Sequence, residues 1–133
     1  MDKPEFFHVT EGEMIEEIRK LFLEYARSLE IDLDFQDFET ELNTLPGKYQ
    51  PPDGALILAL VEGREAGCIA LRKISKDICE MKRLYVRDEY RGLGLGKTLV
   101  GMIIDEAVNK NYQYMRLDTL PTMKSAQSLY LSF

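Results

Sequence analysis

Between Tyr90 and Val100 the chain reads Tyr-Arg-Gly-Leu-Gly-Leu-Gly-Lys-Thr-Leu-Val, with glycine at 92, 94 and 96. Glycine lacks the Cβ that keeps a ligand away from the backbone. The apolar run behind the loop predicts a helix, whose first N–H groups have no internal partner. A glycine loop that opens a helix suits phosphate. Two common phosphate templates fail on register. Walker A needs glycine five positions before Gly96, where Arg91 stands, although Gly96-Lys97-Thr98 satisfies its ending. The fingerprint G-x-G-x-x-G needs glycine at Lys97 if it starts at Gly92, and at Leu99 if it starts at Gly94.

The elements around the loop follow from periodicity. Phe6 to Val9 reads as a strand, and Thr10-Glu-Gly-Glu13 matches a capping box. Met14, Ile15, Ile18, Leu21, Phe22, Tyr25 and Leu29 then give one apolar helical face. A shorter helix fits Asp34 to Leu45, stopped by Pro46-Gly47. Ala55–Val61, Cys68–Arg72 and Ile78–Val86 read as three strands of an antiparallel meander. Beyond the loop, Leu99, Val100, Met102, Ile103, Ile104, Ala107 and Val108 form a wide apolar stripe of helical period. Asn109-Lys-Asn111 can end that helix. Tyr112–Thr119 reads as a strand, and the segment from Met123 to the end as a last helix.

Ile78–Val86, the loop helix and Tyr112–Thr119 make a β-α-β unit, so its two strands are expected to be parallel neighbours. The expected fold is α/β (α+β): a mixed, mostly antiparallel twisted sheet with helices on both faces.

The bulk properties narrow the function. The 133 residues suffice for one domain, 1–133, with apolar content of 45%. No apolar run approaches the ~20 residues of a membrane helix. The first residues lack the basic head and apolar centre of a signal peptide, so a cytoplasmic protein is expected. A net charge of −6 argues against general nucleic-acid binding. The stretch from Glu80 to Lys97 is nonetheless basic, with five basic residues against three acidic ones. A locally basic site in an acidic protein suits an anionic co-substrate. Cys68 and Cys79, without partners at ligand spacing, are expected to be reduced and buried, and no metal site is expected. His8 is read as an ordinary strand residue.

A third template fits the loop. Arg91-Gly-Leu-Gly94-Leu-Gly96 matches [Gln/Arg]-x-x-Gly-x-[Gly/Ala], and the chain from its middle strands onward resembles the GNAT superfamily of acetyl-CoA-dependent N-acetyltransferases. Leu84-Tyr-Val-Arg-Asp-Glu-Tyr90 resembles the family's lead-in from its fourth strand, and Leu129-Tyr130 its fourth-helix dipeptide. The resemblance implies a coenzyme A site. The pyrophosphate would sit on Arg91, Gly92, Leu93, Gly94, Leu95, Gly96, Lys97 and Thr98. The pantetheine arm would lie along the backbone of Leu84, Tyr85 and Val86, where that strand splays from the next. The chain departs from the family in two places. Met123 stands where many members carry asparagine, and the two strands that usually follow the last helix are absent before Phe133. Either residues follow Phe133, or a second copy of the chain covers the exposed edge, as in a homodimer; the first is favoured.

Acetyl transfer to an amine requires a neutral amine, a hydrogen-bond donor for the oxyanion and a proton for the departing thiolate. By resemblance, a backbone N–H near Leu84 or Tyr85 serves the oxyanion. Tyr130 serves as the acid and Glu80 as the base. A phenol is a weaker acid than a thiol, so full transfer from Tyr130 costs about 2 kcal/mol before local tuning. The bland readings are a core tyrosine for Tyr130 and a carboxylate paired with Lys82 or a neighbouring strand for Glu80. Asp118 is a second candidate for holding a cationic amine. Asp32, Asp34, Asp37 and Glu39 make the expected acceptor region acidic. The expected function is direct acetyl transfer to a primary amine of a small molecule or peptide. A non-catalytic coenzyme A sensor is the alternative.

Overall fold

The computed structural model describes residues 3–28, 35–117 and 127–130. In chain order the elements are β1 (Glu5–His8), α1 (Glu13–Ser28), α2 (Phe35–Asn43), β2 (Ala55–Val61), β3 (Arg64–Lys73), β4 (Ile78–Val86), α3 (Leu95–Asn109), β5 (Tyr114–Leu117) and β6 (Gln127–Tyr130). Short 3-10 turns cover Gly47–Tyr49 and Asp88–Tyr90. The strands form one sheet in the order β1-β2-β3-β4-β5-β6. Neighbours are antiparallel except β4 and β5, which are parallel across the α3 crossover.

The continuous apolar run of β2 reflects burial on both faces of the sheet. Ile57 and Ala59 pack with Leu99, Ile103 and Ala107 of α3, whereas Leu56 and Leu58 pack with Ile18, Leu21 and Phe22 of α1. The helices therefore lie on both faces, as the alternation of side chains along a strand requires. No helix among the described residues is long and apolar enough to cross a membrane. The Val61–Arg64 hairpin turns through Glu62 and Gly63, both at positive φ, the backbone that joins tightly twisted strands.

The end of α3 is a Schellman closure. Asn111 sits at φ 69, its N–H bonds to the Val108 carbonyl, and the Tyr112 N–H reaches the Ala107 carbonyl. Tyr112 is then buried, with its hydroxyl donating to the Asp53 carbonyl at 2.8 Å.

Two local expectations are corrected. Helix α1 begins at Glu13, two residues later than a Thr10 cap would start it. Gly12, at φ 84, makes the turn into it. Near the C-terminus, Gln127–Tyr130 is a strand and not part of a helix. It pairs antiparallel with β5, where it satisfies backbone groups that an open sheet edge leaves unpaired. The rest of the expected last helix lies outside the described residues. Cys68 and Cys79 are buried free thiols, and burial pushes the Cys79 thiol up to about 12.

Candidate active site

β4 runs directly into the glycine loop. After Val86 the chain makes the Asp88–Tyr90 turn, passes Arg91 in extended conformation, and turns through Gly92 at φ 91 and Gly94 at φ 78. Gly94 is the N-cap of α3 and supplies no side-chain cap. A side chain at this left-handed position costs roughly 1–2 kcal/mol, so glycine is what the turn requires. The N–H groups of Leu95, Gly96 and Lys97 have no partner one turn earlier inside the helix. The Thr98 N–H is the first that closes, onto the Gly94 carbonyl at 3.1 Å. Leu95 pins this first turn by packing against Val61 and Ala66.

In front of the turn lies an open cleft of about 370 Å³, lined by Val86, Tyr90, Arg91 and the glycine backbone. Arg91 is exposed and folds back on its own loop, with Nη1 2.6 Å from the Asp88 carboxylate and Nε on the Val86 carbonyl at 3.0 Å. Lys97 and Thr98 are exposed on the rim. An anion placed here would meet backbone donors and the positive end of the helix dipole, with Arg91 and Lys97 adding positive charge at the edge.

β4 is not a plain strand. Its pairing with the described residues of β5 runs from Ile78 opposite Tyr114 to Met81 opposite Leu117. Against β3, Lys82 faces Ala70 and Tyr85 faces Cys68, so Arg83 and Leu84 together oppose Ile69. This is a β-bulge, and Arg83 takes φ 60 in it. A bulky residue held in that region costs on the order of 1–3 kcal/mol and persists only where its surroundings fix it.

The surroundings do fix it. Arg83 Nε and Nη2 donate to the two carboxylate oxygens of Glu41 at 2.9 and 3.0 Å, a bidentate pair that is almost wholly buried. The guanidinium lies over the rings of Phe38 and Tyr25. The Cys68 thiol donates to the Arg83 carbonyl at 3.4 Å. Lys48 Nζ stands 3.2 Å from Glu41, and the buried Tyr49 hydroxyl lies close by without a hydrogen bond of its own. Burial alone would push the Glu41 carboxyl up, but Arg83 and then Lys48 outweigh it and hold it below the ordinary carboxylate value.

A second charged group ties the end of β4 to α1. Arg87 grips Glu24 at 2.9 and 2.5 Å, and the Tyr85 hydroxyl donates to the same carboxylate at 3.3 Å. The Arg87 hydrogen bond is the main cause that holds the Glu24 carboxyl below its ordinary value. Burial, and then Glu24, push the Tyr85 phenol up.

The expected cofactor residues are thus brought to one end of β4 and the start of α3. The two expected catalytic residues are placed elsewhere. Glu80 accepts from Arg72 Nε at 2.7 Å, the cross-strand pairing weighed against catalysis from the sequence. It stands four residues, about 13 Å along the strand, from Leu84. Tyr130 ends β6, with its Cα opposite Tyr114 and so level with Ile78, six residues or roughly 20 Å from Leu84 along β4. Asp32, Asp34, Asp118 and Met123 lie outside the described residues, as does the Asp37 side chain; Glu39 is exposed.

Sequence reasoning missed Glu41 and Arg83. Two signals were present. Lys82-Arg83 places adjacent cations where β4 should alternate, which marks a bulge. Glu41 stands three residues after Phe38, inside the apolar stripe of α2.

β4 thus leads through a glycine turn into a helix whose start has no side-chain cap. The profile of the acetyltransferase (GNAT) family matches residues 15–133, and the chain belongs to that family. An uncharacterized N-acetyltransferase of Schizosaccharomyces pombe is 42% identical over 121 residues, covering 90% of this chain and 74% of that protein. Among solved structures, a GNAT acetyltransferase of Staphylococcus aureus superposes with a TM-score of 0.76 at 22% identity, covering 88% of this chain and 73% of that one. An acetyltransferase of Clostridium acetobutylicum, solved with acetyl-CoA, gives 0.71 at 14% identity, covering 90% and 82%.

Proposed function

We propose that the protein transfers the acetyl group of acetyl-CoA directly to a primary amine. The observation that carries this reading is the uncapped start of α3. Gly92 and Gly94, both at positive φ, turn the backbone there a few residues after the end of β4. The Clostridium acetobutylicum structure, of similar fold, holds acetyl-CoA. In this reading the N–H groups of Leu95, Gly96 and Lys97 bind the pyrophosphate. The backbone of Leu84, Tyr85 and Val86 pairs with the pantetheine arm. When bound, acetyl-CoA supplies an activated acyl group, so no covalent enzyme intermediate is required. The C–N bond forms as the C–S bond breaks, the amine gives up a proton, and the thiolate takes one.

The chain's part is to hold the carbonyl against a backbone donor at Leu84 or Tyr85 and to move those two protons. Glu80 is proposed as the proton acceptor, acting through water, with Arg72 fixing its orientation. Tyr130 is proposed as the proton donor on the Leu129-Tyr130 resemblance alone, and that role requires residues 127–130 to leave the β5 edge. Turnover that is unchanged in Tyr130→Phe removes Tyr130 from the mechanism, and the same result in Glu80→Gln removes Glu80.

The deciding experiment is release of free thiol from acetyl-CoA over a panel of amino acids, polyamines, aminoglycosides and peptide N-termini. Turnover with any primary amine supports the reading. Saturable binding of acetyl-CoA with no turnover on any of them leaves a coenzyme A sensor instead.

A further inference from the structure

The bulge of β4 is a strained turn that needs an external hold, and the hold comes from α2. Arg83 adopts φ 60 with a side chain that offers no glycine-like freedom. Its guanidinium is fixed by both oxygens of Glu41 and by the rings of Phe38 and Tyr25. The next two residues are Leu84 and Tyr85, whose backbone N–H groups are the proposed oxyanion donors. Glu41 itself forms one wall of a separate cleft of about 300 Å³, shared with Thr40, Thr44, Lys48 and Tyr49.

We propose that Glu41 is a positioning residue: through its bidentate pair with Arg83 it sets the β4 bulge, and so sets where the Leu84 and Tyr85 N–H groups point during acetyl transfer. This rests on the acetyltransferase reading. The geometry favours a specific role over simple packing for two reasons. The pair joins a helix on one face to the single irregular position of β4. It also places a bulky non-glycine residue on that backbone, so the side-chain contact and the strained φ are held together.

The test uses the full chain in six forms: wild type, Glu41→Gln, Glu41→Asp, Arg83→Met, the Glu41→Gln/Arg83→Met double variant and the control Ile18→Val, a buried α1 position that belongs to neither the bulge nor the loop. Two readouts are taken on each: kcat and KM for thiol release, and residue-resolved amide hydrogen exchange at 83–86. Glu41→Gln is expected to lower kcat by about 10- to 100-fold, since a displacement of 1 Å in a reacting geometry can cost that much. Its KM for acetyl-CoA changes less than kcat, because the pyrophosphate site on α3 is untouched and only the pantetheine contacts at Leu84–Val86 move with the bulge. Its amides at 83–85 exchange faster. Glu41→Asp, which keeps the charge, falls between and serves if Glu41→Gln does not fold. Ile18→Val lowers the melting temperature without moving kcat or those amides. Adding Arg83→Met to Glu41→Gln costs no more kcat than the worse single change, because the two act as one unit.

Wild-type kcat and exchange in both Glu41 variants overturn the proposal. An equal kcat loss in Ile18→Val, once normalised to its loss of stability, does so as well. If wild type releases no thiol with any amine, the acetyltransferase reading fails and takes the catalytic half of the proposal with it. The exchange data still decide whether Glu41 locks the bulge.

Discussion

The two ends of the candidate site are built from different materials. At the loop, the ligand-facing atoms are backbone N–H groups, and side chains are mostly kept out of the way: Gly92, Gly94 and Gly96 carry none, and Arg91 folds back on Asp88. At the bulge, the backbone is forced into shape by side chains, with Arg83 held by Glu41 and the end of β4 held by Glu24 through Arg87. The loop is local, closed within about ten residues of sequence. The bulge depends on residues 42 positions apart. A backbone-built site tolerates many side-chain changes but not a new Cβ at a left-handed glycine. A side-chain-built site fails when one partner of a charge pair is removed.

The largest effect is expected at the loop. Gly94→Glu places a Cβ at φ 78 and a carboxylate at the helix start. Losing two charge-assisted hydrogen bonds of ~1.5–3 kcal/mol each weakens acetyl-CoA binding by at least about 100-fold. Isothermal titration checks this. Unchanged affinity breaks the distinction between the two ends.

Next comes the bulge. Arg83→Met leaves the Glu41 carboxylate buried with Lys48 as its remaining cation among the described residues. The fold is expected to lose about 3 kcal/mol, the usual scale for orphaning one member of a buried pair. Urea denaturation reads it directly, and a loss below about 1 kcal/mol would mean that water already reaches the pair.

The pH dependence sharpens the same point. The folded Glu41 carboxyl sits below its ordinary value of 4.5, so as pH falls the unfolded chain takes up the proton first. Its stabilising contribution is therefore complete above that value and is lost as pH falls from about 4.5 through the lower folded pKa. Around the carboxylate stand Arg83 of β4 and, from the turn after α2, Lys48 and Tyr49. The urea midpoint of Glu41→Gln is expected to fall less steeply than wild type between pH 6 and 3.5. Parallel curves would assign the acid sensitivity to other carboxylates, Glu24 first among them.

The smallest effect belongs to Arg91, which is more than half exposed and already paired with Asp88. Arg91→Ala is expected to weaken acetyl-CoA binding by less than about fivefold, and less again at high salt. A larger loss would show that the loop recruits side chains after all.

This contrast also explains what could be read from the sequence. Glycine spacing, the apolar stripe of α3 and the meander from Ala55 to Val86 are local patterns, and the parallel pairing of β4 with β5 followed from them. The loop residues were legible because the chemistry lies in the backbone conformation that glycine permits. The Glu41–Arg83 pair was not, since nothing in either local stretch identifies a partner so far along the chain. The end of the chain failed for another reason. Ser128, Leu129 and Tyr130 are too few to fix a period, so pairing with the β5 edge decides Gln127–Tyr130.

The most direct test of the account follows the backbone amides themselves. In a ¹⁵N-labelled sample titrated with acetyl-CoA, saturable shifts are expected to centre on Gly92 to Thr98 and to extend to Leu84–Val86. Saturable binding that leaves Leu95, Gly96 and Lys97 unmoved, or no binding at all, would contradict it.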